Sequence, residues 1–295
     1  MYRFNRAPCI QRHCFTSALV YKRPPQLWRH LGLMERNLKQ VDALIAPSQF
    51  AKEMHGQWKF KLPIVLLPHF VANAPAENTS RPVSCVEHSE TPYFLFDGRL
   101  EKLKGAQTLV PIFREYKKAR LWIAGTGSYE LYLRHLAGGS SNIRFLGEQS
   151  AEQLQNLYRG ALAVIVPSLC FEIFSLVIGE AFAERTPVIA RSIGGMPELI
   201  QQSGGGFLYQ TDEELLEAMR RIVNSPALRS ELGEKGYLAF LQHWSSDAHF
   251  DLYFDLIRKV AARKFGYTQW PSWEQLQPAH DVGASRDQVS TSRLQ

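Results

Sequence analysis

The spacing of apolar positions changes several times along the chain, and the changes mark out its elements. From residue 93 onward, short apolar runs recur at 93–96 (Y-F-L-F), 121–124 (L-W-I-A), 143–146 (I-R-F-L), 163–166 (A-V-I-V), 188–190 (V-I-A) and 206–209 (G-F-L-Y). Each run predicts a strand, and the segments between them predict helices. A further helix spans 212–224 and has an acidic first turn. Strand alternating with helix implies an α/β chain with a doubly wound parallel sheet. Such a sheet takes its ligands at the carboxyl ends of the strands.

The flanks read differently. A helix is predicted over 26–40, since Pro24 and Pro25 preclude an earlier start. A strand follows at 41–47 (V-D-A-L-I-A-P), then a helix capped by Ser48 and a strand at 64–68 (I-V-L-L-P). Residues 72–91 are polar, contain Pro75 and Pro82, and read as a linker. Residues 226–262 read as all-helical, with Ser245, Ser246 and Asp247 as N-cap candidates for a final helix. Its apolar positions, Phe250, Tyr253, Phe254 and Ile257, follow helical spacing. Residues 276–295 are polar and are expected to be disordered. The chain thus divides into 1–71, a linker 72–91, a main domain 92–243, a helix 244–265 and a tail 266–295.

Composition narrows the class. The 295 residues suit about two domains. A hydrophobic share of 45% and a charged share of 21% are those of a globular protein. No apolar run approaches the roughly 20 residues of a membrane span, and the first residues lack the apolar core of a signal peptide. A cytoplasmic location is therefore expected. Cys9, Cys14, Cys85 and Cys170 show no C-x-x-C spacing and are expected to be reduced thiols. The net charge of +6 admits an anionic partner, but no long Lys/Arg run argues for nucleic acid. The nearest basic cluster, Lys117, Lys118 and Arg120, is expected to end a helix, where cations suit the dipole. The segment 21–30 (Y-K-R-P-P-Q-L-W-R-H) is basic and aromatic and raises the prospect of peripheral contact with the inner membrane face.

Candidate chemistry is densest at 171–198 (F-E-I-F-S-L-V-I-G-E-A-F-A-E-R-T-P-V-I-A-R-S-I-G-G-M-P-E). A helix is predicted at 174–185, a strand at 187–190, and a turn at Gly194 and Gly195. A strand-to-helix turn presents free N–H groups and a positive dipole end, so donors around Phe174, Ser175 and Leu176 suit a phosphate. Glu172 before the helix and Glu180 on it can accept from sugar hydroxyls. The plainer reading makes Glu172 a helix-terminal charge and Glu180 a solvated one. Gly179 costs a helix about 1 kcal/mol against Ala, which points to close packing or close ligand approach.

This stretch resembles the donor-site signature of retaining GT-B glycosyltransferases of the group 1, or family 4, type. Glu172 and Glu180 match its E-x7-E, and Gly194, Gly195, Pro197 and Glu198 match its G-G-x-P-E. A second stretch, 96–105 (F-D-G-R-L-E-K-L-K-G), resembles the family's G-R-x4-K-G segment. Gly98 allows a tight turn, Gly105 opens a helix, and Arg99 and Lys104 supply two cations that suit a diphosphate. Alone, that loop would read as solvated and basic. Residues 123–128 (I-A-G-T-G-S) lack the third glycine of a dinucleotide fingerprint, because Glu130 stands there. The resemblance places Gly125 and Gly127 beside the nucleotide with a backbone role. Glu148 and Gln149 lie either near the base or in a plain turn.

The resemblance implies a GT-B-like fold. It comprises one complete Rossmann-like doubly wound domain, a truncated N-terminal Rossmann-like remnant on the acceptor side (1–71) and a C-terminal return helix. It implies a retaining hexosyltransferase taking a nucleoside diphosphate sugar to a carbohydrate or lipid-linked acceptor. Glu172 would contact the donor sugar, Glu180 the ribose, and Arg99 and Lys104 the departing diphosphate. Gly98, Gly125, Gly127, Phe174, Ser175 and Leu176 would complete the donor site, with no cofactor and no metal. Only about 70 residues precede the linker, so a partner chain completing the N-terminal domain is one expectation. A non-catalytic nucleotide-sugar-binding module is the alternative, and a GT-B-fold sugar-nucleotide epimerase a weaker one. The family's P-N-G-V-D is replaced by Pro68, His69, Phe70, Val71 and Ala72, so His69 receives no role. His13 and His30 are candidate acceptor-side histidines, with a structural reading preferred.

Overall fold

A computed structural model describes residues 33–56, 63–72 and 92–266. The expectations for 21–30, for His13 and His30, for most of the linker and for the tail lie outside those residues. The chain divides into two units between Phe254 and Asp255.

The first unit holds two parallel sheets. The smaller pairs β1 (Leu44–Ala46) with β2 (Ile64–Leu66), in register Leu44 to Ile64, and follows the short helix α1 (Leu33–Leu38). Between the two strands lies α2 (Gln49–Gly56), whose Ser48 Oγ accepts from the Ala51 amide at 3.1 Å. The cap predicted at Ser48 is therefore present.

The larger sheet has six strands: β3 (Tyr93–Asp97), β4 (Arg120–Ala124), β5 (Ile143–Gly147), β6 (Val164–Val166), β7 (Val188–Arg191) and β8 (Gly206–Tyr209). All neighbours are parallel, in the order β5-β4-β3-β6-β7-β8. This is the doubly wound order, and it reverses direction between β3 and β6. The connecting helices are α3 (Ala106–Glu115), α4 (Glu130–Ala137), α5 (Ala151–Gly160), α6 (Leu176–Ala183) and α7 (Met196–Ser203). Then come α8 (Asp212–Asn224), α9 (Pro226–His243) and α10 (Ser246–Phe265).

The continuous apolar runs follow from burial on both faces. Phe94, Phe96, Leu121, Ile123 and Ile165 pack with Leu109 and Phe113 of α3, Leu133 of α4 and Met219 of α8. The alternate residues Tyr93, Leu95, Trp122, Val164 and Val188 pack with Tyr158 of α5, Phe182 of α6, Met196 of α7 and Phe240 of α9.

Several boundaries differ from the sequence reading, and the strands expected at 41–47 and 64–68 shorten to β1 and β2. The helix expected over 174–185 begins only at Leu176, because Ser175 is extended (φ −102, ψ 107). Lys117 and Lys118 lie beyond α3 rather than in its last turn, and Arg120 opens β4, although Lys117 Nζ still donates to the Arg114 carbonyl. The final helix starts at Ser246, since Trp244 caps α9 and Ser245 Oγ accepts from the Ala248 amide at 3.3 Å. Thr211 and Glu214 form a reciprocal capping box at α8, which fixes the predicted start at Asp212.

Segments distant in sequence join this frame at the ends of β6 and β7. Glu198 of α7 accepts from the Gln49 and Phe50 amides of α2 at 2.9 and 3.2 Å. A Cβ at Gly179 would sit 2.9 Å from Val71 Cγ2, so the helix glycine answers to close packing. His249 Nδ1 lies 2.7 Å from the Pro68 carbonyl, and Phe70 stacks obliquely on His249 and Phe250.

Candidate functional site

The crevice between the carboxyl ends of β3 and β6 gathers most of the residues singled out in the sequence. After β3 the chain runs through Gly98 and Arg99 into a 3-10 turn at Lys102–Lys104, and Gly105 caps α3. Gly105 has φ +81, and a Cβ there would lie 2.0 Å from the Pro167 carbonyl oxygen that ends β6. Only glycine lets the two loops meet so closely. That contact brings Lys104 to the β6 loop, where its Nζ lies 2.9 Å from Glu172 Oε1. Ser168 Oγ donates to the same oxygen at 2.6 Å. Glu172 is well buried (side chain 11% exposed) and Lys104 half-buried (31%), so the pair is partly shielded from solvent.

The Gly194-Gly195 turn supports Glu172 from behind. The Gly195 amide donates to the Glu172 carbonyl at 2.7 Å, and a Cβ at either glycine would strike the backbone of Glu172 or Ile173. Ser175 is buried and N-caps α6 without a side-chain hydrogen bond to it. Phe174 is buried as well and meets His69 edge-on at 5.6 Å, whereas Leu176 is exposed.

Glu180 lies on the same helix but belongs to a second group. Tyr158 Oη of α5 is 2.9 Å from Glu180 Oε2 and 2.6 Å from Asp97 Oδ2, the last residue of β3. Burial pushes both carboxyls above their ordinary range, and Tyr158 moderates the rise in each. Burial, followed by the two neighbouring negative charges, holds the Tyr158 phenol well above its usual range.

Arg99 stands apart from both groups. Its side chain is 73% exposed and pairs with Glu101 at 2.9 Å. Gly125 and Gly127 stitch the β4 loop to the β3 loop: Cβ atoms there would lie 2.2 Å from the Gly98 carbonyl oxygen and 2.4 Å from that of Leu100. Gln149 Nε2 donates to the Leu146 and Glu148 carbonyls at 2.8 and 3.0 Å.

Sequence reasoning missed Asp97, Tyr158 and Ser168. Asp97 had a readable signal, a carboxylate closing an apolar strand directly before Gly98 and Arg99. Tyr158 had none, because a tyrosine on the apolar face of a helix reads as core. Glu198, which matches the last position of the donor signature, holds α2.

The family profile described as "Glycosyl transferases group 1" matches residues 83–239, more than half of the chain. The chain is 38% identical over 119 residues to an uncharacterized glycosyltransferase of Methanocaldococcus jannaschii, covering 38% of this chain and 30% of that protein. It is 30% identical over 167 residues to the GDP-mannose-dependent monoacylated alpha-(1-6)-phosphatidylinositol monomannoside mannosyltransferase of Corynebacterium glutamicum, covering 52% and 44%. The match therefore spans less than half the length of these curated relatives. Among solved structures, Anabaena Alr3699/HepE in complex with UDP superposes with a TM-score of 0.66 at 16% identity, covering 82% of this chain and 74% of that one.

Proposed function

This chain belongs to the group 1 glycosyl transferases, and from that premise we propose that it transfers a hexosyl group from a nucleoside diphosphate sugar to a carbohydrate or lipid-linked acceptor, with retention of configuration. The observation that carries the reading is the Lys104–Glu172 pair at the switch point, 2.9 Å apart beside the N-terminus of α6. A cation, a carboxylate and a helix start are the three groups that a sugar diphosphate needs.

In the proposed reaction the bond from the sugar C1 to the diphosphate oxygen breaks, and its electron pair stays on the phosphate. The acceptor hydroxyl oxygen bonds C1 and passes its proton to the departing diphosphate oxygen. Lys104 and the first amides of α6 offset the charge growing on the leaving diphosphate, and Arg99 joins them by exchanging Glu101 for the ligand. Glu172 contacts the donor sugar by accepting from its hydroxyls, and Glu180 accepts from the ribose hydroxyls. No metal is assigned a role, because these cations meet the leaving-group charge directly. Full activity in excess EDTA is expected, and loss restored by a divalent cation would remove that part of the proposal. Support for a nucleotide comes from the relatives, one named for GDP-mannose and one solved with UDP.

The test is calorimetric titration with UDP, GDP and ADP. One nucleotide should bind at micromolar levels, and Lys104→Ala and Glu180→Ala should each weaken it tenfold or more, or about 1.4 kcal/mol. A folded chain that binds none of the three would overturn the reading. A nucleotide bound by a chain that never releases sugar from its donor would leave a binding module in place of the transferase.

A further inference from the structure

Asp97, Tyr158 and Glu180 make more hydrogen bonds than their ionised forms have protons for. Tyr158 Oη lies 2.6 Å from Asp97 Oδ2 and 2.9 Å from Glu180 Oε2. A phenol carries one proton, so it donates one of these bonds and must accept the other. An ionised carboxylate has no proton to give. Both contacts are hydrogen bonds only while one of the two carboxyls is protonated. The three side chains come from β3, α5 and α6, so the arrangement is a meeting of separate elements and not a local turn.

The surroundings favour keeping that proton. The charged groups facing Tyr158 are the two carboxyls themselves. Its neighbour on α5, Arg159, is held by Glu184 at 2.5 Å. Tyr93, on the same strand as Asp97, spends its own proton on the Leu157 carbonyl at 2.8 Å. The Tyr158 carbonyl accepts from Thr186 Oγ1 at 2.7 Å, which fixes the backbone beneath the phenol. Among the described residues Tyr158 is the side-chain partner of Asp97, since the Gly98 amide donates to the Ala124 carbonyl at 3.2 Å, and burial pushes both carboxyls upward.

We propose that Asp97 and Tyr158 are positioning residues for Glu180, the three sharing one proton that anchors Glu180 through Oε2 and leaves Oε1 to accept from the ribose of a nucleotide. Among the described residues Oε1 has no hydrogen-bond partner, so a ligand hydroxyl meets no competitor there. Once the proton is lost, two carboxylates contend for one phenol, and the displaced one turns toward water. If Glu180 is released, the ribose contact goes with it, so affinity falls as pH rises. The proposal rests on the donor-site reading above, and its test separates the two.

Two measurements are needed on the whole chain. The first follows carbon-13 carboxyl shifts of Asp97 and Glu180 in the ligand-free protein against pH. One of the two should keep its proton well above the ordinary carboxylate range, about 4. The second measures affinity for UDP, GDP or ADP, whichever binds, from about pH 5 to about pH 9. The parent should lose at least tenfold in affinity across that range. Asp97→Asn should flatten the profile, because its amide donates to Tyr158 at every pH. Tyr158→Phe should weaken binding at the acid end as well, with thermal melts showing that both variants fold. The proposal fails if both carboxyls ionise in the ordinary range, or if Asp97→Asn reproduces the parent's decline. A shared proton with no nucleotide bound at any pH would sink the donor reading and Glu180's role with it. Nucleotide binding without a shared proton would sink this proposal alone.

Discussion

Glu198 is the side chain through which α7 holds α2, and its removal should loosen one element and spare the rest. Its two carboxylate oxygens accept from the Gln49 and Phe50 amides at 2.9 and 3.2 Å. Both amides belong to the first turn of α2, where no intrahelical acceptor exists. Gln49 is exposed, so water can replace a lost partner there, and the full cost of a buried charged bond does not apply. The relevant scale is the loss of an N-terminal cap, about 0.5–2 kcal/mol. A negative charge at a helix N-terminus adds about 0.3–1 kcal/mol. Ser48 continues to serve the Ala51 amide, which keeps the loss below the upper sum. Glu198→Ala should therefore cost about 1–2.5 kcal/mol in the local stability of α2, and Glu198→Gln, which retains one acceptor, about half of that. The middle of the range corresponds to roughly twentyfold more frequent opening. Hydrogen exchange read by mass spectrometry would show it as faster exchange in peptides covering 44–56, with peptides from β3 and β4 unchanged. Unaltered exchange in 44–56 would refute the argument, and so would an equal rise across the whole chain.

Two further outcomes test the loops and the buried carboxyls. Gly105→Ala should cost more than about 2 kcal/mol, since it adds a left-handed strain of about 1–2 kcal/mol to a backbone collision. The control is Gly138→Ala at φ +58, where a Cβ meets nothing within 4 Å and only the strain remains; equal losses in urea denaturation would show that the contact with Pro167 is unimportant. Asp97 and Glu180 have pKa values raised by folding, so the folded chain binds more protons than the unfolded one between the two sets of values. Stability contributed by these groups is present below the unfolded pKa and is lost as pH rises through the folded one. Asp97→Asn should accordingly gain on the parent as pH rises from about 4 to about 7, and a difference that stays flat with pH would contradict this.

The fold was legible where burial is continuous. The six runs at 93–96, 121–124, 143–146, 163–166, 188–190 and 206–209 each became a strand of one parallel sheet, within a residue or so of the expected bounds. The four inner runs could be read because both faces are covered, so no polar residue interrupts them, whereas the edge run 143–146 carries the exposed Arg144. Helix ends were legible where side chains declare them, as at Ser48, at Ser245 and at the acidic first turn that begins with Asp212. They were not where backbone alone decides. Nothing in F-E-I-F-S-L says that Ser175 is extended, and the helix start moved two residues as a result.

The site was legible to the extent that its chemistry is local in sequence. Arg99, Lys104, Glu172 and Glu180 stand in recognisable spacings, but spacing says nothing of which charge meets which. Lys104 finds Glu172, 68 residues away, because Gly105 lets the β3 loop touch the end of β6. Arg99, five positions before Lys104, turns outward to Glu101. Tyr158 illustrates the limit most sharply. Its ring packs in the core with Phe182 and Leu199, which is what its pattern announces, while its hydroxyl reaches two carboxyls 61 and 22 residues away. An amphipathic side chain of this kind serves the core with its body and the site with its tip. Hydrophobic periodicity reports only the body. The partners of the tip follow from the order of strands, since only a sheet that reverses between β3 and β6 brings Asp97 and α6 to the same phenol.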